Sequence, residues 1–296
     1  MAFILPKVIA RQFPLKFLKR IYHDKKFSVK IAKLKFSLTG TKNSFENSIY
    51  WNSLTKSVEG FSIELLINLL NLKNRLIFWD VGANSGIYTL IVRTLKPNSL
   101  IVAFEPSKMS QKKLINNLFD NNYEYTVSYK PQETYCNLIL LNYALGSKNE
   151  RLQFNYYSAD DDFTYGGQVL ELNKKSSKTE FVDSLTATEI IDSNNKLLPN
   201  FIKMDVEGYE FEALLGFGAH IKQLEVILIE ILSDNLAERI ETLLTPDLFR
   251  YFDIDDRNRT VKEFSHLKKS SFRNWFVIKR DYNPGLALIK SQYLDV

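Results

Sequence analysis

The stretch that most constrains the fold is IFWDVGANSG at residues 77–86, an apolar run that ends on Asp80 and breaks into a turn containing Gly82 and Gly86. Glycine permits positive φ and leaves room for a ligand against the backbone, so the pattern predicts a strand, a ligand-binding turn and a helix. A second apolar run, LIVAFEP, ends on Glu105, 19 residues beyond Gly86. Because a carboxylate at that spacing can accept both hydroxyls of a ribose, the two runs together predict a nucleoside site.

The glycine pattern indicates which nucleoside this turn suits. A dinucleotide site needs G-x-G-x-x-G, whose second glycine admits a pyrophosphate, whereas Asn84 stands at that position here. Asp80 would repel an anion and attract a cation. We therefore expect S-adenosylmethionine, which has a sulfonium, an ammonium for Asp80 and a ribose for Glu105. The alternative is an ordinary turn in which Asp80 and Asn84 only cap the following helix.

Four segments follow one another along the chain: DVGANSGIYTL, VAFEPS, NYALGS and FIKMDVEGYEFEALLG. On these motifs, which fall within residues 59–232, the sequence resembles the FkbM-type S-adenosylmethionine-dependent methyltransferases. The resemblance implies a Rossmann-like class I methyltransferase fold. It also implies O-methylation of hydroxyls on sugars or on polyketide-type small molecules.

The same resemblance implies roles for individual residues. Those expected to line the cofactor are Asp80, Gly82, Ala83, Asn84, Gly86, Glu105 and Pro106, with Asn142 and Ala144 beside the adenine. Asp205 and Glu207 would face the reaction. The chain departs from the family where a T-L-D triplet is often found, because it has Ser184, Leu185 and Thr186 there. The role of that aspartate is therefore left open.

Apolar runs alternate with helical patterns through most of the chain. Strands are expected near residues 76–81, 100–105, 138–142, 201–206, 226–231, 251–255 and 275–279. Helices are expected near residues 61–72, 87–95, 108–121, 188–194, 210–216 and 235–244. Since strands separated by helices favour parallel βαβ units, we predict an α/β fold with a seven-stranded, mostly parallel sheet and helices on both faces.

Composition limits the cellular setting. The 296 residues are 45% apolar, which suffices for one large domain with an extension. No run reaches the roughly 18 apolar residues that cross a bilayer, and the single cysteine, Cys136, excludes an intrachain disulfide. We therefore expect a cytoplasmic location.

Basic residues are concentrated at the start of the chain. Residues 1–50 hold 11 Lys/Arg against 2 Asp/Glu, whereas the rest holds 28 against 32. We predict a basic N-terminal extension over residues 1–58 and a methyltransferase domain over residues 59–296. A basic amphipathic helix beginning at Pro14 would let residues 1–35 contact a membrane surface, a partner or a nucleic acid. The alternative is a helix packed on the domain with its basic face in water.

The helical pattern lapses between residues 152 and 183. LQFNYY and TEFVDSL are typical of short strands, and SADDDFTYGGQ lies between them. Its place after the third strand would put it beside the ligand-binding edge of the sheet, so we interpret residues 152–183 as a lid or acceptor-specificity insert. A solvated surface loop is the alternative.

The KMDVEG motif supplies the expected catalytic groups. Strand alternation would put Lys203, Asp205 and Glu207 on one face, with either carboxylate as the base and Lys203 as its charge partner or as the group that orients the acceptor hydroxyl. A divalent cation held by the two carboxylates is the competing hypothesis. Glu210 is expected to be a first-turn helix residue favoured by the dipole, and Glu230, inside an apolar strand, is a secondary site candidate.

The function that these observations favour is S-adenosylmethionine-dependent O-methylation of a glycan or another small hydroxylated molecule. Nucleic-acid methylation is a weaker alternative, motivated by the basic start of the chain but opposed by the acidic remainder. A nicotinamide oxidoreductase is a poorer alternative, because the chain lacks the glycine that admits the pyrophosphate of that cofactor. A catalytically inert nucleoside-binding scaffold is the non-enzymatic alternative.

Overall fold

The computed structural model describes residues 26–39, 44–130, 136–156, 168–169, 178–269 and 274–293. Their strands are β1 (Lys26–Ile31), β2 (Leu34–Thr39), β3 (Ile77–Val81), β4 (Leu100–Phe104), β5 (Leu138–Leu141), β6 (Ala144–Leu145), β7 (Arg151–Tyr156), β8 (Gln168–Val169), β9 (Lys178–Leu185), β10 (Phe201–Met204), β11 (Val226–Glu230), β12 (Phe249–Asp255), β13 (Thr260–Phe264) and β14 (Asn274–Lys279).

Helices separate most of the strands in these residues. They are α1 (Ser44–Asn52), α2 (Gly60–Leu70), α3 (Ile87–Leu95), α4 (Lys108–Asp120), α5 (Ala187–Ser193), α6 (Glu210–Leu215), α7 (Asp234–Leu243) and α8 (Asn283–Gln292). The six predicted helices are confirmed as α2 to α7, with ends shifted by at most two residues. Helices α1 and α8 were not predicted.

The central sheet has the strand order β13-β12-β14-β11-β10-β3-β4-β5. Strands β5, β4, β3, β10 and β11 pair in parallel, and the strand β14 is antiparallel to both of its neighbours. The chain builds outward from β3 to β5 and then returns to the centre with β10, so β3 and β10 flank the point where strand order reverses. The predicted Rossmann-like α/β fold is confirmed, and such a point is where this class of sheet binds ligands.

The sheet has eight strands, one more than predicted, and β13 is the additional strand. It forms a hairpin with β12 whose turn is closed by the Asp255 carboxylate, which accepts hydrogen bonds from the backbone N–H of Arg257 and Asn258. Of the residues in β13, only Val261 is buried. A strand at the sheet edge therefore lacks the apolar alternation by which a sequence reveals it.

Apolar residues cover both faces of the sheet. One face packs against α2, α3, α4 and α8, and the other packs against α5, α6 and α7. Strand alternation decides which face each residue serves: Phe78 and Phe201 belong to the first core, and Trp79 and Ile202 belong to the second.

The β1–β2 hairpin packs on α4 through side-chain amides. Asn121 accepts the backbone N–H of Ser37 at 2.6 Å and donates to the carbonyl of Ser37 at 2.8 Å, and Asn117 accepts from Thr39 at 3.0 Å. Phe36 and Leu38 are buried in the first core. Part of the segment predicted as an extension thus shares the core of the domain, while the predicted helix beginning at Pro14 lies outside the described residues.

A small second sheet, of order β6-β9-β7-β8, follows β5. Strands β7 and β9 are antiparallel over six pairs and correspond to the two predicted short strands. The acidic loop at residues 157–167 lies outside the described residues. Across the part of the chain that the structure describes, every helix is too short or too polar to span a bilayer.

The tightest contact at the sheet centre lies between the turns after β3 and β10. A Cβ atom on Gly82, whose φ is +76°, would lie 2.0 Å from the carbonyl oxygen of Asp205. Gly208 also has positive φ, +102°, but nothing lies within 4 Å of its Cβ position. Replacing Gly208 would therefore carry a conformational cost alone, whereas replacing Gly82 would carry a steric cost as well.

We expect Gly82→Ala to be clearly less stable than Gly208→Ala. Both variants force alanine into a left-handed conformation, at about 1–2 kcal/mol, but only the first also drives a methyl group into a backbone carbonyl, at about 1–3 kcal/mol more. Urea unfolding of both variants measures the difference. Equal losses would show that the two turns are not in contact.

Candidate active site

A cavity of about 950 Å³, part of it open to solvent, lies at the carboxyl ends of β3, β4 and β10. This size is in the range of small-molecule sites. The turns after these three strands form its floor, and residues from α1, α3, α4, β6 and β7, together with Glu59 just before α2, form its walls. The predicted nucleoside site and the predicted catalytic motif therefore belong to one cavity.

The turn after β3 is held against the end of β4. The backbone N–H groups of Gly82 and Ala83 both donate to the carbonyl of Phe104, and Asn84 has φ +49° with its N–H on a carboxylate oxygen of Glu105, at 2.7 Å. Gly82, Ala83 and Asn84, which were predicted to contact the cofactor, line the cavity. The backbone of Asp205 leaves no room for a side chain at Gly82, so packing alone already requires glycine there.

Gly86 does not line the cavity. It has φ +84° and begins α3, where a Cβ atom would meet the Leu114 side chain of α4 at 2.9 Å. This glycine allows two helices to approach each other. The sequence located it correctly in the turn, but its neighbours, and not Gly86, line the cavity.

Asp80 lies below the cavity floor and does not line it. Its side chain is fully buried on the α3 side of β3, where one oxygen accepts from the backbone N–H of Thr89 at 2.9 Å and from the Thr89 hydroxyl at 2.6 Å. Burial raises the pKa of Asp80, against the effects of Lys203 and Thr89. Of the two predicted roles, the geometry shows the helix cap; the ammonium contact requires an exposure that Asp80 does not have.

Glu105 lines the cavity at the end of β4, together with Pro106. Its two carboxylate oxygens accept from the N–H groups of Asn84 and Ser107, at 2.7 and 2.8 Å. Burial raises the pKa of Glu105 to about 7, and these two hydrogen bonds act in the opposite direction. The carboxylate is thus fixed in place at the cavity surface.

Asn142 supports the site from behind. Its side-chain amide donates to the carbonyls of Glu105 and Pro106, at 2.8 and 3.0 Å, and it does not line the cavity. Ala144 does line it, together with Tyr143 and Leu145. Of the two residues predicted beside the adenine, the structure therefore brings Ala144 to the cavity and uses Asn142 to hold the turn after β4.

Lys203 is buried at the end of β10. Its ammonium donates to the carbonyl of Gly82 at 3.0 Å and lies 3.5 Å from a carboxylate oxygen of Asp205. Burial acts to lower the pKa of Lys203, but the carboxylates of Asp205, Asp80 and Glu59 outweigh it and raise that pKa. Lys203 and Asp205, the predicted catalytic residues, both line the cavity.

Strand alternation does not place Asp205 and Glu207, because β10 ends at Met204. Glu207 has φ +54° in the turn that follows. The turn nevertheless brings Asp205 and Glu207 together with Glu230 of β11, and each offers an oxygen within 4.8 Å of the others. The predicted cluster is present, but a turn and a second strand form it.

Glu210 holds that turn. One of its carboxylate oxygens accepts from the N–H groups of Val206 and Gly208, at 3.0 and 3.2 Å, and the side chain is fully buried. Burial raises the pKa of Glu210 to about 7, against these hydrogen bonds. It is a first-turn residue of α6 as predicted, but its hydrogen bonds go to the turn after β10.

Sequence analysis missed most of the cavity walls. The side chains concerned include Phe45, Glu46, Glu59, Tyr88, Tyr143, Phe154 and Tyr209. Three of them come from residues before the predicted first strand, where no motif pointed to a site. Tyr88, Tyr143 and Tyr209 lie inside the quoted motifs and could have been found there.

The unusual Ser184–Thr186 triplet also has a structural place. The Thr186 hydroxyl accepts from the N–H of Glu189 at 3.1 Å and caps α5. Threonine is a good substitute for aspartate at an N-cap. The departure from the family pattern therefore keeps a helix cap.

A sequence model described as the methyltransferase FkbM domain matches residues 80–256. A curated relative, the hexuronic acid methyltransferase AglP of Haloferax volcanii, is 27% identical over 155 residues, which make up 52% of this chain and 55% of the relative. The chain thus matches about half the length of this relative.

Solved structures that resemble the chain include two methyltransferases. The precorrin-6y C5,15-methyltransferase of Geobacter metallireducens has 14% identity and a TM-score of 0.39, with 76% of this chain and 88% of that chain covered. A SAM dependent methyltransferase of Agrobacterium tumefaciens has 8% identity and a TM-score of 0.42, with 86% and 70% covered.

We expect Glu210→Gln to stabilise the protein at pH 8 and to change little at pH 4. A carboxyl whose pKa rises on folding contributes stability below its unfolded pKa and loses it as the pH rises toward about 7. Glutamine keeps the accepting oxygen without the charge, so the gain at pH 8 is on the order of 2–3 kcal/mol.

Chemical unfolding at both pH values measures this gain, and Glu238→Gln, at an exposed position of α7, is the control. A Glu210→Gln variant that is less stable than the wild type at pH 8 would contradict the raised pKa of Glu210, because the charged carboxylate would then stabilise the folded protein at that pH.

Proposed function

Because the chain belongs to the methyltransferase FkbM domain family, we propose that it methylates a hydroxyl group of a glycan or of another small hydroxylated molecule. It is an S-adenosylmethionine-dependent methyltransferase. The observation that carries the proposal is that Glu105 and Asp205, from the ends of β4 and β10, line the same cavity.

The residues of the cavity fit a positively charged nucleoside. Carboxylates prevail among the described side chains that line it: Glu46, Glu59, Glu105, Asp205 and Glu207, against one cation, Lys203. Opposite charge in a partly buried cleft favours the binding of a cation. We assign Glu105 to the ribose hydroxyls, Ala83 and Asn84 to the edge of the ligand, and Ala144 to the side of the base.

The chemistry follows from what the cofactor supplies and what Asp205 can accept. S-adenosylmethionine supplies an electrophilic methyl group, whose bond to sulfur breaks as the acceptor oxygen bonds to it. The acceptor hydroxyl proton passes to Asp205, because an alcohol is a weak nucleophile until a base within hydrogen-bond reach removes that proton. Lys203 orients Asp205 across their 3.5 Å contact.

Two observations support a sugar-like acceptor. The relative of Haloferax volcanii is a hexuronic acid methyltransferase. In addition, the aromatic side chains Tyr143, Phe154 and Tyr209 line the wall of the cavity next to β6 and β7, where they offer apolar surface to a ring-shaped acceptor. The competing role of Asp205, Glu207 and Glu230 is to hold a divalent cation that binds the acceptor oxygen.

Glu105→Gln is expected to weaken the binding of S-adenosylhomocysteine at least tenfold. Glutamine keeps one acceptor for the turn but removes the charge that receives the ribose hydroxyls, and hydrogen bonds to charged groups contribute about 1.5–3 kcal/mol. Calorimetric titration measures the affinity, with Glu124→Gln at an exposed position as the control. Unchanged affinity would refute the ribose assignment.

Asp205→Asn is expected to lower kcat by about 10²–10⁴, the usual contribution of a general base, with little change in cofactor affinity. The assay transfers labelled methyl from S-adenosylmethionine to a panel of neutral hexoses and hexuronic acids. A fully active variant would move the base elsewhere. If a chelator abolishes wild-type activity and Mg²⁺ restores it, the three carboxylates hold a cation instead.

A further inference from the structure

Glu59 lines the cavity although it precedes the part of the chain that the family model matches. It is the residue directly before α2. The Tyr88 hydroxyl of α3 donates to its carboxylate at 2.6 Å. The ring of Tyr88 lies 5.3 Å from the ammonium of Lys203, so the side chains of Glu59, Tyr88 and Lys203 form a contiguous wall beside the turn after β10.

The position of Glu59 is fixed from two sides. The Asp256 carboxylate, at the β12–β13 turn, caps the start of α2. It accepts hydrogen bonds from the backbone N–H groups of Phe61 and Ser62, at 2.9 and 2.8 Å, and from the Ser62 hydroxyl, at 2.5 Å. Behind the helix start, a Cβ atom on Gly60 would lie 2.4 Å from the backbone of Thr55. The start of α2 therefore has little freedom to move.

The charges around Glu59 favour a positive ligand group. The pKa of Glu59 is raised to about 7, first by burial and then by the carboxylates Asp205 and Asp256, against the opposing effects of Tyr88 and Lys203. Two of these carboxylates, Glu59 and Asp205, line the cavity with the ammonium of Lys203. A cation that binds beside Glu59 would relieve their repulsion.

The amino-acid end of S-adenosylmethionine offers such a cation. Asp80, the residue first expected to bind it, is buried below the cavity floor, where it caps α3 through Thr89. We propose that Glu59, oriented by Tyr88, binds the α-ammonium of the methyl donor. This inference rests on the proposed function, since it assigns a contact to the same cofactor. It extends the cofactor site into a segment outside residues 80–256.

The test compares two ligands on one variant. S-adenosylhomocysteine carries the α-ammonium, whereas 5′-methylthioadenosine keeps the adenosine and the thioether but lacks the amino-acid end. We expect Glu59→Gln to weaken the first at least tenfold in calorimetry and to change the second less than twofold. Tyr88→Phe, which keeps the carboxylate but removes its orienting hydrogen bond, should weaken only S-adenosylhomocysteine, and by less.

Glu64→Gln is the matched control, because Glu64 lies on the same helix, pairs with Arg259 at 2.7 Å and does not line the cavity. Thermal unfolding of every variant reports on folding. Equal weakening of both ligands, or none for S-adenosylhomocysteine in both Glu59→Gln and Tyr88→Phe, overturns the role of Glu59. Wild-type protein that binds neither ligand overturns the proposed function itself.

Discussion

The ammonium of Lys203 is the constraint on which the site depends. A buried cation must be paired or hydrogen-bonded, and Lys203 meets this requirement by contacting the carbonyl of Gly82 and the carboxylate of Asp205. These partners lie in the turns after β3 and β10, so the charge ties together the two turns at the point where strand order reverses. This contact holds together the two turns that form much of the cavity floor.

The carboxylates around this ammonium divide into two groups. Asp80 and Glu210 are sealed in the protein and hold backbone N–H groups, one at the start of α3 and the other in the turn after β10. Glu59, Glu105 and Asp205 face the cavity. The first group fixes the shape of the two turns, and the second gives the cavity its negative charge. Both groups consist of Asp and Glu, which look the same in a sequence, so only burial in the folded protein distinguishes them.

The sequence predicted the central fold well because long apolar runs and helical periodicity identify buried elements. It missed elements where the signal is weak: β13 lies at an edge, and the β1–β2 hairpin lies in the basic segment, for which no strand was predicted. In the site, motif position pointed to Glu105, Lys203 and Asp205, which line the cavity, and their roles stay predictions. It could not show that Asp80 lies beneath the floor or that Glu59 comes from another part of the chain, since both depend on tertiary packing.

The cap that Asp256 gives to α2 has a consequence for the order of folding. Asp256 and Phe61 are 195 residues apart, so this contact closes a loop that contains almost the whole domain. Long-range closures are entropically costly and slow to form. During synthesis, the turn after β3 leaves the ribosome early, whereas the wall that carries Glu59 gains its final anchor only when the β12–β13 hairpin has emerged. The proposed contact of Glu59 with the methyl donor would therefore form late in the maturation of the nascent chain.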